Sequence, residues 1–447
     1  MTGIRRERPG TPTGRRYSRR DFLKAGGAGL AGAALLGTAG CGGGSSGGGG
    51  EFVFSFGPDP SGTLEELVKR FNEKFKGQYK ATYRQVPSDA TQYFDQLRTQ
   101  FQAGSGDIAL IGGDVIWTAQ FAINGYILDL SDRFPESDQQ KFLPGPIKSN
   151  TYDGKPFGVP WFTDAGVLYY RKDLLEKSGF SGPPKTWDEL KQQAKTVQQD
   201  SGIENGFVFQ GAEFEGGVVN GLEYINSYGG QVLDPNDASK ITIDSPESAE
   251  GLATQLSMVE DEITPQAVTT YKEPESDAIF LNGEAVFERS WPYVYALVGT
   301  EDWPKLNPDQ VGIAPIPAGS DGSVSGLGGW NFFINSFADS ETQDAAFEFV
   351  NFATAPEQQK YRAVEGAFLP TLKSSYEDQE VVDALPVVTQ AGAALERTEP
   401  RPVSPYYSDM SLEMAEQFTA VLNGDVEPEQ AVATLQEQLQ SIVESAQ

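Results

Sequence analysis

The chain has 447 residues, with 34 Lys and Arg against 63 Asp and Glu, no histidine and one cysteine, for a formal charge of −29. So acidic a surface repels nucleic acid and anionic lipid. The lack of histidine removes Ser-His and Cys-His triads, imidazole bases and nearly all zinc sites, and a lone cysteine excludes an intrachain disulfide.

The chain opens on a basic stretch containing Ser18-Arg19-Arg20-Asp21-Phe22-Leu23-Lys24, the pattern of a twin-arginine export signal. A Gly/Ala-rich apolar run from Ala25 to Gly40 follows and ends at Cys41; glycines and serines continue to residue 50. This order predicts a signal peptide over 1–40, a lipid attachment point at Cys41 and a flexible tether over 41–50. The expected location is extracytoplasmic, anchored by lipid to the outer face of the cytoplasmic membrane. The apolar run is too short and glycine-rich for a spanning helix, and no later segment reaches eighteen apolar residues. Residues 1–40 carry eight basic and two acidic side chains, so the part beyond holds 26 basic and 61 acidic ones, a charge near −35. About four hundred residues are enough for two large lobes.

Glu51–Phe56 alternates and is rich in Phe, a strand signal. Thr63 and Glu66 read as a capping box for a helix whose apolar face is Leu64, Leu67, Val68, Phe71 and Phe75. Strands are expected over 80–86 and 107–111, and helices over 93–103 and 115–124. Strands alternating with helices predict an α/β fold with a parallel sheet covered on both faces. Pro156 to Arg171 is extended with no helix, which reads as the chain crossing between lobes. Helices are expected over 174–177, 187–199, 216–228, 245–260 and 344–352, strands over 280–287 and 311–315, and a helical tail over 410–446 broken at Gly424.

Three motif matches carry no chemistry. Gly27-x-Gly29-x-x-Gly32 lies in the signal with no strand before it, and Gly43-x-Ser45-x-Gly47 lies in the tether of a His-free chain. Asp234-Pro-Asn236-Asp237-Ala238 fails as a calcium loop at its fifth position and again at Ser239, where Gly is required.

Several runs resemble carbohydrate-binding proteins of ABC importers, the family-1 extracellular solute-binding proteins. These are Gly158-Val-Pro-Trp-Phe-Thr-Asp-Ala-Gly-Val-Leu-Tyr-Tyr-Arg171 with Pro183 to Leu190, Phe280 to Tyr293, and Val311 to Pro317. Gly328-Gly329-Trp330 and Pro400-Arg401-Pro402 through Tyr407 are most similar to the trehalose/maltose-binding branch. The resemblance implies a two-lobed periplasmic-binding-protein-like (type II) α/β fold, its lobes discontinuous and joined by three crossings, with a ligand cleft between them. Lobe 1 is expected from 51–164 with 308–360, and lobe 2 from 165–307 with 361–447. It implies a monomeric, non-enzymatic lipoprotein without cofactor or metal, which captures a neutral disaccharide by lobe closure and hands it to membrane permease subunits.

A disaccharide offers apolar C–H faces and a rim of hydroxyls, so a site stacks aromatics on the first and satisfies the second with fixed polar groups. Trp330, Trp291 and Tyr293 are the stacking candidates, Arg401 the bidentate donor, and Asp164 and Asp114 the acceptors. Each matches a sugar-contacting position of that branch, and Gly329 belongs to the same motif. Phe162 stands where the branch has Tyr, with Trp161 beside it as the compensating group, and Asp59 aligns loosely with a sugar-touching carboxylate. The arginine that the branch has before the Asp107 strand is not evident; Tyr93 and Phe94 occupy that neighbourhood. Alternatives are a binding protein for another sugar, such as an α-oligoglucoside or sucrose, or a secreted carboxylate-based glycoside hydrolase pairing Asp164 with Glu213 or Glu215.

Overall fold

The alternating Phe-rich run does form a strand. In the computed structural model, which describes residues 50–234, 237–390, 394 and 397–445, it is Gly50–Phe56 (β1). The export signal, Cys41, the rest of the tether and the centre of the 234–238 loop lie outside the described residues. Phe52, Phe54 and Phe56 share one face of β1, and Phe54 meets Trp161, Phe332 and Phe349 at ring-centre distances of 5.7, 5.6 and 5.4 Å.

The helix Thr63–Lys74 (α1) buries Leu64, Leu67, Val68 and Phe71 as expected, but Thr63 and Glu66 form no capping box. The N-cap is Gly62 in the left-handed region, and the carboxylate of Asp59 accepts the hydroxyl of Thr63 and the backbone N–H of Leu64 at 3.1 and 2.8 Å. An Asp one turn upstream reaches the free N–H groups better than Thr63, which is already helical.

The chain continues through Tyr79–Gln85 (β2), Ala90–Gln102 (α2), Leu110–Asp114 (β3) and a short helix Thr118–Ile123 (α3). The third strand lies three residues later than expected, because Gly112 and Gly113 continue it instead of ending it. Val159–Ala165 (β4) and Val167–Arg171 (β5) follow, then Trp187–Ser201 (α4), Asn205–Val208 (β6), Glu215–Ser227 (α5) and Pro246–Glu260 (α6). The run 280–287, expected as one strand, is split by the Asn282-Gly283 turn. Its start belongs to the helix Glu273–Leu281 (α7), and the strand is Ala285–Ser290 (β7). Val311–Ala314 (β8) precedes Ser325–Ile334 (β9), ten residues long and not anticipated. Ser340–Ala353 (α8), Pro356–Gly366 (α9), Leu369–Pro370 (β10), Thr398–Glu399 (β11), Tyr407–Leu422 (α10) and Pro428–Ser445 (α11) complete the chain.

The strands form a large sheet, ordered β10–β4–β9–β3–β1–β2 with β11 beside the start of β9, and a small one, ordered β8–β5–β7–β6. The β1 pairings are parallel, whereas β9 runs antiparallel to both β3 and β4. The chain passes from large to small sheet between Ala165 and Val167, at the crossing expected near Asp164. Sheet membership moves the other two lobe boundaries. β8 still belongs to the small sheet, so the return comes between 314 and 325, not at 308. β10 and β11 both still pair in the large one, so the last departure from it comes after 399, not at 360. Among the described residues no helix is long and apolar enough to cross a membrane.

Candidate ligand-binding site

The register of β9 assembles one wall of a cavity of about 370 Å³ that lies between the sheets. Trp330 pairs with Asp114 on β3 and with Phe162 on β4, and Gly328 pairs with Asp164, so these side chains share one face. A β-bulge follows Trp330, and such bulges re-aim side chains beside functional sites. The indole of Trp330 is half-buried, held edge-on by Phe56 at 4.9 Å and Trp117 at 5.6 Å. Gly329 has a φ of 121°, and a Cβ on Gly328 would come within 2.8 Å of the ring of Trp291. The Gly-Gly pair therefore lets the opposite wall approach.

That opposite wall comes from α5, α7 and the turn after β7: Phe214, Glu215, Glu273, Asp277, Trp291 and Tyr293. The indole of Trp291 stacks 4.2 Å over the guanidinium of Arg289, whose Nε donates to Glu223 at 2.7 Å. The same Glu223 accepts the backbone N–H of Gly326 at 2.9 Å, and Ser325 bonds the carbonyl of Gly166 at 2.8 Å. Tyr169 fixes the turn by donating to the carbonyls of Trp291 and Pro292, both at 3.0 Å. The hydroxyl of Tyr293 donates to Asp277.

Seven of the nine residues singled out from the sequence line this cavity: Asp114, Phe162, Asp164, Trp291, Tyr293, Gly329 and Trp330. Asp59 and Arg401 do not. The Asp59 carboxylate is taken up at the start of α1, facing Arg362 at 3.5 Å. Arg401 sits behind the wall, donating to Asp114 Oδ1 at 2.6 Å and to Glu215 Oε1 at 2.7 Å. Tyr407 and Ser411 donate to Glu215 as well. Trp161 is 1 % exposed and stacked 4.6 Å from Phe332, so it is core and does not replace a hydroxyl at Phe162. Tyr93 is likewise buried, against Ser55. Glu273, Asp277, Phe56, Phe214, Trp303 and Phe368 line the cavity without having been singled out. The i, i+4 spacing of Glu273 and Asp277 at a helix start was the available signal.

Five carboxylates thus face a small, largely apolar space. Burial raises Asp164 well above the carboxylate range, with Asp114 adding to it and Arg362 and Arg289 opposing. Burial also raises Glu215 against the pull of Arg401, and it pushes Glu273 up to about 7. Between its ordinary 4.5 and 7, Glu273 holds a proton in the folded state that the unfolded chain has shed, so its contribution to stability falls as pH rises. That slope is at most about 1.4 kcal/mol per pH unit. Urea unfolding at pH 5, 6, 7 and 8 is expected to give a flatter pH dependence for Glu273→Gln than for the parent. Parallel curves would remove Glu273 from this role.

Residues 57–360, more than half the chain, match the bacterial extracellular solute-binding protein family, and the chain belongs to that family. It is a family of binding proteins, not of enzymes, which sets aside the hydrolase alternative. The chain is 34% identical over 367 residues to a probable ABC transporter-binding protein of Deinococcus radiodurans, across 80% of this chain and 85% of that one. It is 26% identical over 316 residues to a maltotriose-binding protein of Pyrococcus abyssi, across 69% and 64% of the two chains. Among solved structures, maltose-bound T. maritima MalE3 superposes with a TM-score of 0.83 at 36% identity, covering 88% of this chain and 99% of that one.

Proposed function

We propose that this protein is the substrate-binding lipoprotein of an ABC sugar importer, exported by its twin-arginine signal and held through Cys41 to the outer face of the membrane. Its ligand is a neutral disaccharide of the trehalose/maltose type. The observation that carries this reading is the cavity itself. Indole rings from opposite walls, Trp330 and Trp291, face a space of about 370 Å³ rimmed by fixed carboxylates, within the range of about 300–1,000 Å³ typical of ligand pockets. The maltose-bound and maltotriose-binding relatives support the same class of ligand.

Asp114, Phe162, Asp164, Gly329 and Trp330 would hold the sugar from the large-sheet side, and Trp291 and Tyr293 from the other. Bridging both sides, the ligand stabilises the closed form by its differential affinity; the closed form then docks on the permease, where ATP is spent by other subunits. Calorimetry with trehalose, maltose, sucrose and longer α-glucans tests this, with a trehalose- or maltose-sized ligand expected to bind. Absence of heat with every saccharide refutes sugar capture. Trp330→Ala is expected to cost about 2–4 kcal/mol of binding, and unchanged affinity would discard the stacking role. Mass spectrometry of the mature N-terminus tests the anchor, since an unlipidated start away from Cys41 excludes it.

A further inference from the structure

The polar inventory of the cavity is lopsided. Asp114, Asp164, Glu215, Glu273 and Asp277 line it, and among the described residues the lining includes no Lys or Arg. Arg401, from behind the wall, pairs with two of these, Asp114 and Glu215, and leaves Asp164, Glu273 and Asp277 without a paired cation among the described residues; Arg289 is bound to Glu223 and Lys272 to Asp89. Arg362 lies behind the rings of Phe162 and Phe368.

Asp164 is the exposed end of this imbalance. It is 9 % exposed, its carboxyl lines the cavity, and no described residue donates a hydrogen bond to it. Glu273 receives a long bond of 3.4 Å from the indole N–H of Trp291 and one from its own backbone N–H. A sugar hydroxyl can donate one hydrogen bond to such acceptors, whereas an ammonium offers only donors and a compensating charge. An ammonium beside Trp330 also gains from the indole π-system, whereas one face of Trp291 is already covered by the guanidinium of Arg289. The field of the whole molecule, at −29, draws cations towards the cleft.

We infer that the cavity prefers a glycoside carrying a basic nitrogen, such as an amino sugar or an amine-linked pseudo-oligosaccharide, over its neutral counterpart, and that it refuses sugar phosphates, with Asp164 as the cation's partner. This rests on the sugar-binding reading and specifies its ligand. The groups facing Asp164 are Asp114 on β3, Arg289 on β7, Arg362 on α9, and the phenols of Tyr169 and Tyr376. Asp114 among them is a carboxylate already paired with Arg401, and neither Arg289 nor Arg362 hydrogen-bonds Asp164, which leaves that bond to a ligand cation. Burial keeps a proton on Asp164 well above the ordinary range; an arriving ammonium takes its place and that proton passes to solvent.

The test is calorimetry with trehalose, 2-amino-2-deoxytrehalose, 6-amino-6-deoxytrehalose and trehalose 6-phosphate at pH 5.5 and 7.5, in two buffers of different ionisation enthalpy. The expected result is that one amino analogue binds at least tenfold tighter than trehalose at pH 7.5, with proton release, and that the phosphate does not bind. The advantage should shrink at high salt, and Asp164→Asn should weaken the amine at least tenfold more than trehalose. If trehalose binds and neither amine exceeds it, the inference is overturned while sugar capture stands. If no saccharide binds, both fall. The salt and buffer arms use the parent protein and stand even if the Asp164 variant fails to fold.

Discussion

Arg401→Ala is expected to lower folding stability by about 3–5 kcal/mol, because removing one member of a buried ion cluster strands the others. The guanidinium is 6 % exposed and joins Asp114, at the end of β3, to Glu215, at the start of α5. Without it two buried carboxylates face each other and must take up protons or water. Saccharide affinity should fall as well, because Asp114 loses the partner that aims it, although Arg401 itself lies outside the cavity lining. Pro400 and Pro402 hold the backbone on either side, and each fixes φ and limits what relaxation can recover. Lys at 401 is expected to restore only one of the two bridges, since an ammonium lacks the planar fork. Urea unfolding of the Ala and Lys variants checks this ordering; an Ala variant as stable as the parent would show that the bridge carries no weight.

The second large effect lies at Asp59. Its carboxylate caps α1 and is the only acidic group in ion-pairing range of Arg362 among the described residues, at 3.5 Å. Arg362 is 3 % exposed, its three guanidinium nitrogens make no hydrogen bond, and it is sandwiched 4.0 Å from Phe368 and 4.3 Å from Trp161. Burial pulls it down to about 10, so it remains charged at neutral pH. Asp59→Ala therefore removes a cap and leaves a buried cation alone, with an expected loss of about 3–5 kcal/mol. Asp59→Asn, which still caps, should lose less. Combining Asp59→Ala with Arg362→Met should recover part of the loss, whereas strictly additive losses in urea unfolding would show the two residues to be independent.

Asp59 also illustrates where the sequence misled. A carboxylate after a Gly-Pro turn reads equally as ligand contact or helix cap, and only the path of the loop decides between them. The β1–α1–β2 alternation was legible because Phe52, Phe54 and Phe56 share a face and Leu64, Leu67, Val68 and Phe71 fall at helical spacing. The crossing near Asp164 was legible because β-rich residues run on without a helix. The longest strand was not, since Gly326, Gly328 and Gly329 depress strand propensity, and its central position is set by β3 and β4 on either side. The run from Phe280 to Phe287 is apolar across a helix end and a strand start, and apolarity alone does not separate the two. Trp291 and Trp330, singled out through their motifs, both line the cavity. Glu273 and Asp277 were not singled out because acids in the first two turns of a helix usually face water, and here α7 turns them towards the cleft.

The pair of Arg289 and Glu223 has a mechanical consequence. Glu223 is hydrogen-bonded to the start of β9 through Gly326, and Ser325 beside it clasps Gly166, so two of the chain's passages between the sheets are fastened at one buried point. The indole of Trp291 rests on the same guanidinium. In the proposed closure that point would serve as an axle bearing, with the indole of Trp291, the gripping surface on the small-sheet side, mounted on the bearing itself.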